Sequence, residues 1–335
     1  MTEKFNKCKK NSRKIVTILL VSLLLTGCET DISVFDNYEI PLSQSSEQDI
    51  SEGTTADNID SEFLSADICV VPKKKQLQKD SFMTAGASLI FDNTHNKMLY
   101  ADNIYTKMYP ASTTKIVTAL VALKYGNLND EVTISYNATH INEYGAKLCG
   151  FAEGDKITLK KLLYSFLICS GNDAGIAIAE HIAGSVDKFA AMMNKEVKAL
   201  GCSGSNFVNP HGLHDDNHYT TPYDLYLVFH ELLKYDVFMD IINHSSYKAE
   251  FNGADGNKKT LWFTSTDKYL LGSAKAPEGV TVIGGKTGTT SMAGSNLILY
   301  SKNSNGNSYI SVVMHASDSF SLYSQMSHLL ELENQ

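Results

Sequence analysis

Between residues 29 and 67 the chain carries eleven acidic residues and no lysine or arginine, and no hydrophobic period runs through it. A segment of that kind cannot bury enough apolar surface to offset the entropy of ordering itself, so it reads as a spacer. Any core must be built from residues C-terminal to it. If the spacer runs to residue 80, the remaining 255 residues fall within the roughly 250–300 that one hydrophobic core can serve. An apolar fraction of 43%, with 10% aromatic, is enough to fill it.

The charge divides the same way. Residues 1–27 hold six basic residues against one acid, and the net of -8 for the whole chain leaves about -2 from Ile68 onward. A nearly neutral folded part is a poor partner for nucleic acid. Arg13 is the only arginine, so any anion the folded part grips must be held by lysine, hydroxyls or backbone N–H groups.

The cationic start, the apolar stretch Ile15 to Thr26 and the small residues after it have the profile of a secretory leader, too short to span a bilayer comfortably. The leader ends Leu25-Thr26-Gly27-Cys28, which resembles the lipobox of bacterial lipoproteins and implies lipidation of Cys28. The expected organisation is a leader over 1–27, an acidic tether over 28–80 and one folded domain over 81–335. The tether would reach about 40 Å as a coil, with the domain outside the cytoplasm, lipid-anchored to the outer face of the membrane. Lys73-Lys74-Lys75 reads as a solvated edge. Cys69, Cys149, Cys169 and Cys202 then remain for disulfides; four cysteines allow three full pairings, and the sequence does not choose among them. No C-x-x-C occurs, which disfavours a zinc or redox centre, and no cofactor is implied.

Within the domain, Ala85 to Phe91 and Lys97 to Ala101, separated by Asp92-Asn93-Thr94-His95-Asn96, predict an opening hairpin. Pro110, the apolar positions 116, 117, 120, 121 and 123, and Gly126 outline a buried helix with Ser112 in its first turn. A spacing of three places Lys115 on the face of Ser112, where its amine can take the hydroxyl proton. Ser-x-x-Lys alone is weak, because it recurs at Ser185/Lys188, Ser245/Lys248 and Ser265/Lys268, which read as chance. Ser112 stands apart by its company: Ser170-Gly171-Asn172 comes 58 residues later, and the single Lys286-Thr287-Gly288 a further 116 on. A helix from Thr158 to Ile168 presents Ser170 in a tight turn, a second helix runs from Ala174 to Ile182, and Val280 to Gly285 reads as a strand edge.

In this order the three elements resemble those of the penicilloyl-serine transferase superfamily, and within it the low-molecular-mass penicillin-binding proteins that are serine D-alanyl-D-alanine carboxypeptidases, here in lipoprotein form. The stretch Asn206-Phe207-Val208-Asn209-Pro210-His211-Gly212-Leu213 and Tyr219-Thr220-Thr221-Pro222-Tyr223-Asp224-Leu225 is similar as well. The resemblance implies an α+β, β-lactamase/transpeptidase-like fold: an antiparallel sheet flanked by helices, with a helical subdomain. It implies that peptidoglycan peptides ending in D-Ala-D-Ala are substrates and β-lactams are covalent inhibitors, in cell-wall remodelling. Ser112 would form the acyl-enzyme with Lys115 as base, and Ser170 would relay a proton. Asn172 would hold the substrate amide, and Lys286, Thr287, Gly288 and Thr289 would form the other wall. Lys286 would supply a cation near Ser170, and the N–H groups of Ser112 and Thr289 an oxyanion hole. Relatives often carry an arginine after Lys-Thr-Gly for the terminal carboxylate, and this chain has none there. A class A β-lactamase would add an E-x-x-L-N element, absent here; a non-catalytic lipoprotein that binds wall peptides is the other alternative.

Three features read as structural. His230-Glu231-Leu232-Leu233-Lys234 lacks the second histidine of a zincin helix, and the helix from Pro222, capped by Thr221, is expected to serve packing. His211, His214 and His218 fall in a turn of the resemblance and read as no metal site. Phe320, Tyr323, Met326 and Leu330 make a helical stripe expected to pack on the sheet.

Overall fold

The computed structural model describes residues 80–143 and 145–335; the leader, tether, Cys28 and Cys69 lie outside the described residues. The opening hairpin forms from β1 (Ala87–Asp92) and β2 (Lys97–Asp102). A 3-10 turn over Ala111–Thr114 runs into α1 (Lys115–Tyr125), which Gly126 ends. Next come β3 (Glu131–Thr133), the single turn α2 (Tyr136–Thr139), β4 (Lys156–Thr158), α3 (Leu159–Cys169), α4 (Asn172–Ala183) and α5 (Val186–Ala199). The chain continues through α6 (Pro222–Leu232), α7 (Asp236–Ile242), β5 (Ser246–Asn252) and β6 (Lys258–Thr264), and closes with β7 (Val280–Thr290), β8 (Gly294–Asn303), β9 (Ser308–Ala316) and α8 (Ser319–Leu330).

Side chains set several helix starts. Thr158 accepts the N–H of Lys161, Thr221 that of Asp224, and Asp318 that of Ser321, each relieving an N–H with no intrahelical partner. The main sheet is antiparallel in the order β2-β1-β9-β8-β7, and a smaller antiparallel sheet runs β3-β4-β5-β6.

The main sheet is covered on both faces, and its period-two alternation shows how. Leu297 and Leu299 of β8 bury against Leu322, Met326 and Leu329 of α8. Ile298 and Tyr300, pointing the other way, join the larger core that α1 and α6 complete. Each fully buried leucine or methionine contributes about 1.5–3 kcal/mol. The α+β architecture is the one the resemblance implied.

Two expectations need correction. Phe320 is 84% exposed, whereas Tyr323, Met326 and Leu330 are buried. At 100° per residue, Phe320 points roughly 90° away from the mean direction of the other three and misses the sheet. Strand β7 does not stop at Gly285 but runs to Thr290, paired with β8 on both sides of a bulge at Ile283, so Lys286-Thr287-Gly288 lies within the strand and obeys its alternation. Among the described residues, no helix is long and apolar enough to cross a membrane.

Candidate active site

Ser112 lies in the 3-10 turn, held by its backbone neighbours. The buried amide of Asn296, on β8, donates to the carbonyls of Tyr109 (3.0 Å) and Pro110 (3.1 Å), and its oxygen accepts the His315 N–H of β9. Thr113 Oγ1 donates to the same Pro110 carbonyl. Ala111, just before Ser112, takes a φ of 48°, a left-handed conformation uncommon for a side-chain-bearing residue. Strand β7 presses on this turn at Gly288, where a Cβ would stand 2.8 Å from Pro110 O, Ser112 N and Thr113 N. Only glycine lets the strand backbone come so close.

Lys115 opens α1 and is fully buried. Its Nζ lies 3.0 Å from Ser112 Oγ, 2.7 Å from Asn172 Oδ1 and 2.7 Å from the carbonyl oxygen of His211, with the Phe166 ring beneath it. Burial drives its pKa well below the ordinary lysine range, and the charge on Lys286 pushes the same way. A neutral amine has two hydrogens and one lone pair. The two carbonyl oxygens can only accept, so they take the hydrogens, and the lone pair is left facing the Ser112 hydroxyl. That is the arrangement of a general base beside a nucleophile.

The second element sits at the junction of α3 and α4. Ser170 ends α3 with a φ of 65°, and Gly171 redirects the chain so that Asn172 opens α4. The Asn172 N–H donates to the Lys147 carbonyl (2.7 Å), while the buried Asp173 carboxylate accepts the N–H groups of Cys149 (2.7 Å) and Gly150 (2.9 Å). The loop over 146–150 is thereby tied to the start of α4.

Ser112, Ser170, Asn172, Thr287, Gly288 and Thr289 all line one cleft of about 590 Å³. Lys286 does not. It is buried, its Nζ donates to the Thr287 carbonyl, and burial with the nearby charge of Lys147 lowers it to about 7. The pleat sends Lys286 and Thr287 to opposite sides of the strand, so of the four residues expected to form that wall Lys286 alone stands behind it.

The cleft also contains two lysines to which the sequence alone gave no role, Lys147 and Lys268. Lys268 belongs to the Ser265-x-x-Lys268 match read as chance. Its backbone N–H donates to Tyr323 Oη and its ammonium lies 5.4 Å from the Tyr323 ring centre. Beside it Thr266 Oγ1 and Thr287 Oγ1 share a hydrogen bond. Of the three histidines, His214 lines the cleft with its ring edge-on to Tyr109, while the other two are committed elsewhere: His218 Nδ1 accepts the Val208 N–H, its Nε2 meets Thr114 Oγ1, and burial lowers its pKa to about 4. His211 contributes its backbone carbonyl to Lys115 rather than its ring.

A family model described as D-alanyl-D-alanine carboxypeptidase matches residues 73–318. The chain belongs to the D-alanyl-D-alanine carboxypeptidase family. Among curated members of that family it is 32% identical over 252 residues to the D-alanyl-D-alanine carboxypeptidase DacF of Bacillus subtilis, covering 74% of this chain and 61% of the relative. It is 33% identical over 238 residues to DacA of Haemophilus influenzae, covering 69% and 57%. The chain thus spans about six-tenths of the length of these relatives. Of solved structures, the Streptomyces DD-transpeptidase superposes with a TM-score of 0.69 at 26% identity, over 76% of this chain and 98% of that one. Penicillin-binding protein 5 from Haemophilus influenzae gives 0.66 at 29%, over 76% and 72%.

Proposed function

We propose that this protein is a serine-type D-Ala-D-Ala carboxypeptidase that removes the terminal D-alanine from peptidoglycan stem peptides. The observation that carries the reading is the placement of Lys115, whose two carbonyl acceptors turn its lone pair to Ser112. Lys115 takes the hydroxyl proton as Ser112 Oγ attacks the carbonyl of the penultimate D-alanine. The backbone N–H groups of Ser112 and Thr289 receive the developing oxyanion, where one donor is typically worth about 10²–10³ in rate. Ser170, in the same cleft, passes a proton to the amine of the departing D-alanine. Water then cleaves the ester on Ser112, while a β-lactam leaves the acyl group in place.

Substrate binding is set by the walls. Asn172 has given its oxygen to Lys115, which leaves its Nδ2 to donate to the substrate amide carbonyl. Thr287 and Thr289 offer hydroxyls to the terminal carboxylate, and Lys268 supplies a cation where relatives often use arginine. Burial holds down the pKa of Lys115, and Lys286, behind the wall, adds to it. Export, the acidic tether and lipidation of Cys28 complete the proposal: a diacylated cysteine gives the two chains that stable anchoring needs.

Release of D-alanine from a peptide ending in D-Ala-D-Ala tests the activity. Wild type should release it and Ser112→Ala should not. Rapid turnover of penicillin with no stable acyl-enzyme would point to a β-lactamase instead. For the anchor, Cys28→Ser should move the protein out of the membrane fraction; unchanged fractionation would remove lipid as the tether.

A further inference from the structure

Two thiols lie against the second catalytic element without any part in the mechanism. Cys169 is the last residue of α3 and immediately precedes Ser170; Cys149 belongs to the loop that approaches α4. Their sulfurs stand 3.2 Å apart, both as free thiols. The approach is built into the backbone: a Cβ on Gly171 would meet Cys149 Sγ at 2.4 Å and Cys149 N at 2.5 Å, so the glycine of Ser-Gly-Asn is what admits Cys149. Cys202, also free, is buried elsewhere, its Sγ donating to the Asp224 carbonyl. Of the three described thiols, only Cys149 and Cys169 are placed to pair.

We infer that Cys149 and Cys169 are the site of an intrachain disulfide that locks the 146–150 loop to the end of α3. Bond formation requires the sulfurs to close by about 1.2 Å, to roughly 2.05 Å. Half-buried Cys149 is the sulfur a small disulfide can reach. Burial pushes the Cys149 thiol well up, so it attacks through its minor thiolate fraction, taking one sulfur of a low-molecular-mass disulfide into a mixed disulfide and expelling one thiolate. The Cys169 thiol, lowered in the reduced pair chiefly by its hydrogen bond with Cys149 and, against its burial, by the Gly171 N–H and the charge of Lys147, then attacks the Cys149 sulfur as the thiolate and expels the second. The two protein thiols lose two electrons and two protons; the reagent gains them as two free thiols. Export, as proposed above, would place the pair in an oxidising compartment where disulfides form and persist.

The bond would cross-link the loop whose Lys147 carbonyl receives the Asn172 N–H, and so brace the segment carrying Ser170 and Asn172 from both sides. It forms or fails to form whether or not the protein cleaves D-Ala-D-Ala.

The test uses purified protein equilibrated with oxidised glutathione or with dithiothreitol. Oxidised wild type should be lighter by two hydrogens, with peptides containing Cys149 and Cys169 joined and Cys202 free. Closing a 20-residue loop should raise the Tm by about 6–12 °C over the reduced form, and slow amide exchange at Cys149, Gly150 and Asn172. Cys149→Ser should abolish the redox-dependent shift and Cys202→Ser should keep it. A stable glutathione adduct on Cys149, a bridge to Cys69, or equal Tm and exchange in both redox states of wild type would each overturn the inference without needing any variant to fold.

Discussion

The Nζ of Lys115 and the carbonyl oxygen of His211 lie 2.7 Å apart, and neither water nor a carboxylate is needed to fix the amine's orientation. With Asn172 Oδ1 as the second acceptor, the direction of the lone pair is decided by groups that cannot donate.

Arginine in that place would keep the donors but could not release a proton. Lys115→Arg should lower the rate of Ser112 acylation by about 10²–10⁴, the usual range for loss of a general base, with the fold retained by circular dichroism. Stopped-flow acylation by a fluorescent penicillin measures this, and a loss under tenfold would mean another group takes the Ser112 proton.

Stability should rise from pH 7 to pH 9. Lys286, near 7 in the folded protein, and Lys115, also depressed, stay protonated when unfolded up to the ordinary lysine value. The unfolded chain therefore binds more protons across this window, and raising pH favours the fold by up to about 1.4 kcal/mol per unit for each group. Lys286→Met should flatten the rise in Tm; an unchanged slope would show that Lys286 is charged in the folded state.

Glu333 gives the opposite sign. Its Oε1 accepts from Ser301, its Oε2 is buried with no hydrogen-bond partner among the described residues, and burial raises its pKa to about 7. The folded state holds a proton there that the unfolded chain gives up from roughly pH 4.3 upward, so stability drains between there and pH 7. Asp267, raised to about 6, contributes in the same range. Glu333→Gln should melt higher than wild type at pH 7.5 and by a smaller margin at pH 4.5; a margin equal at both would exclude the titration.

Carboxylate recognition should depend on Lys268. Lys268→Met keeps the stem over Tyr323 and removes the charge, a loss of about 1.5–3 kcal/mol for a charged hydrogen bond, or roughly 10- to 150-fold in kcat/KM. The loss should fall on peptides with a free terminal carboxylate and largely spare the C-terminal amide. Equal losses on both would assign Lys268 to packing.

Asn296 should matter to the nucleophile without touching substrate. Asn296→Leu strands the Tyr109 carbonyl and the His315 N–H, at about 1–3 kcal/mol for each group left buried and unpaired, while the Pro110 carbonyl keeps Thr113 as its donor. Loss of Tm with a slower acylation rate is expected; a slower rate with unchanged Tm would mean these groups find other partners.

The sequence carried the local part of this site because local spacing is what a helix preserves. The step of three from Ser112 to Lys115 already puts hydroxyl and amine on one face, and the caps at Thr158 and Thr221 mark their helices. What it could not carry were encounters between distant segments. Lys268 looked like a chance repeat because its place at the cleft depends on the turn after β6. Asn296 is one of several polar residues in β8 until its carbonyl partners arrive from the other side of the fold. Phe320 failed for a finer reason: a stripe judged by spacing alone tolerates a member well off its axis, and a sheet does not. The pairing of Cys149 with Cys169 required Gly171 to be seen as empty space.

A mutation changes side chains, yet the hydrogen-bond partners at this catalytic centre are in good part peptide groups. His211 can be exchanged for many residues and its carbonyl will still point at Lys115; the same holds for Lys147 beneath Asn172 and Pro110 beneath Asn296. Such partners have no codon of their own. Substitution at these three positions can therefore reshape the walls of the cleft residue by residue without removing an acceptor; that takes a change at the donor side chain, Lys115 or Asn296, or a bend in the chain.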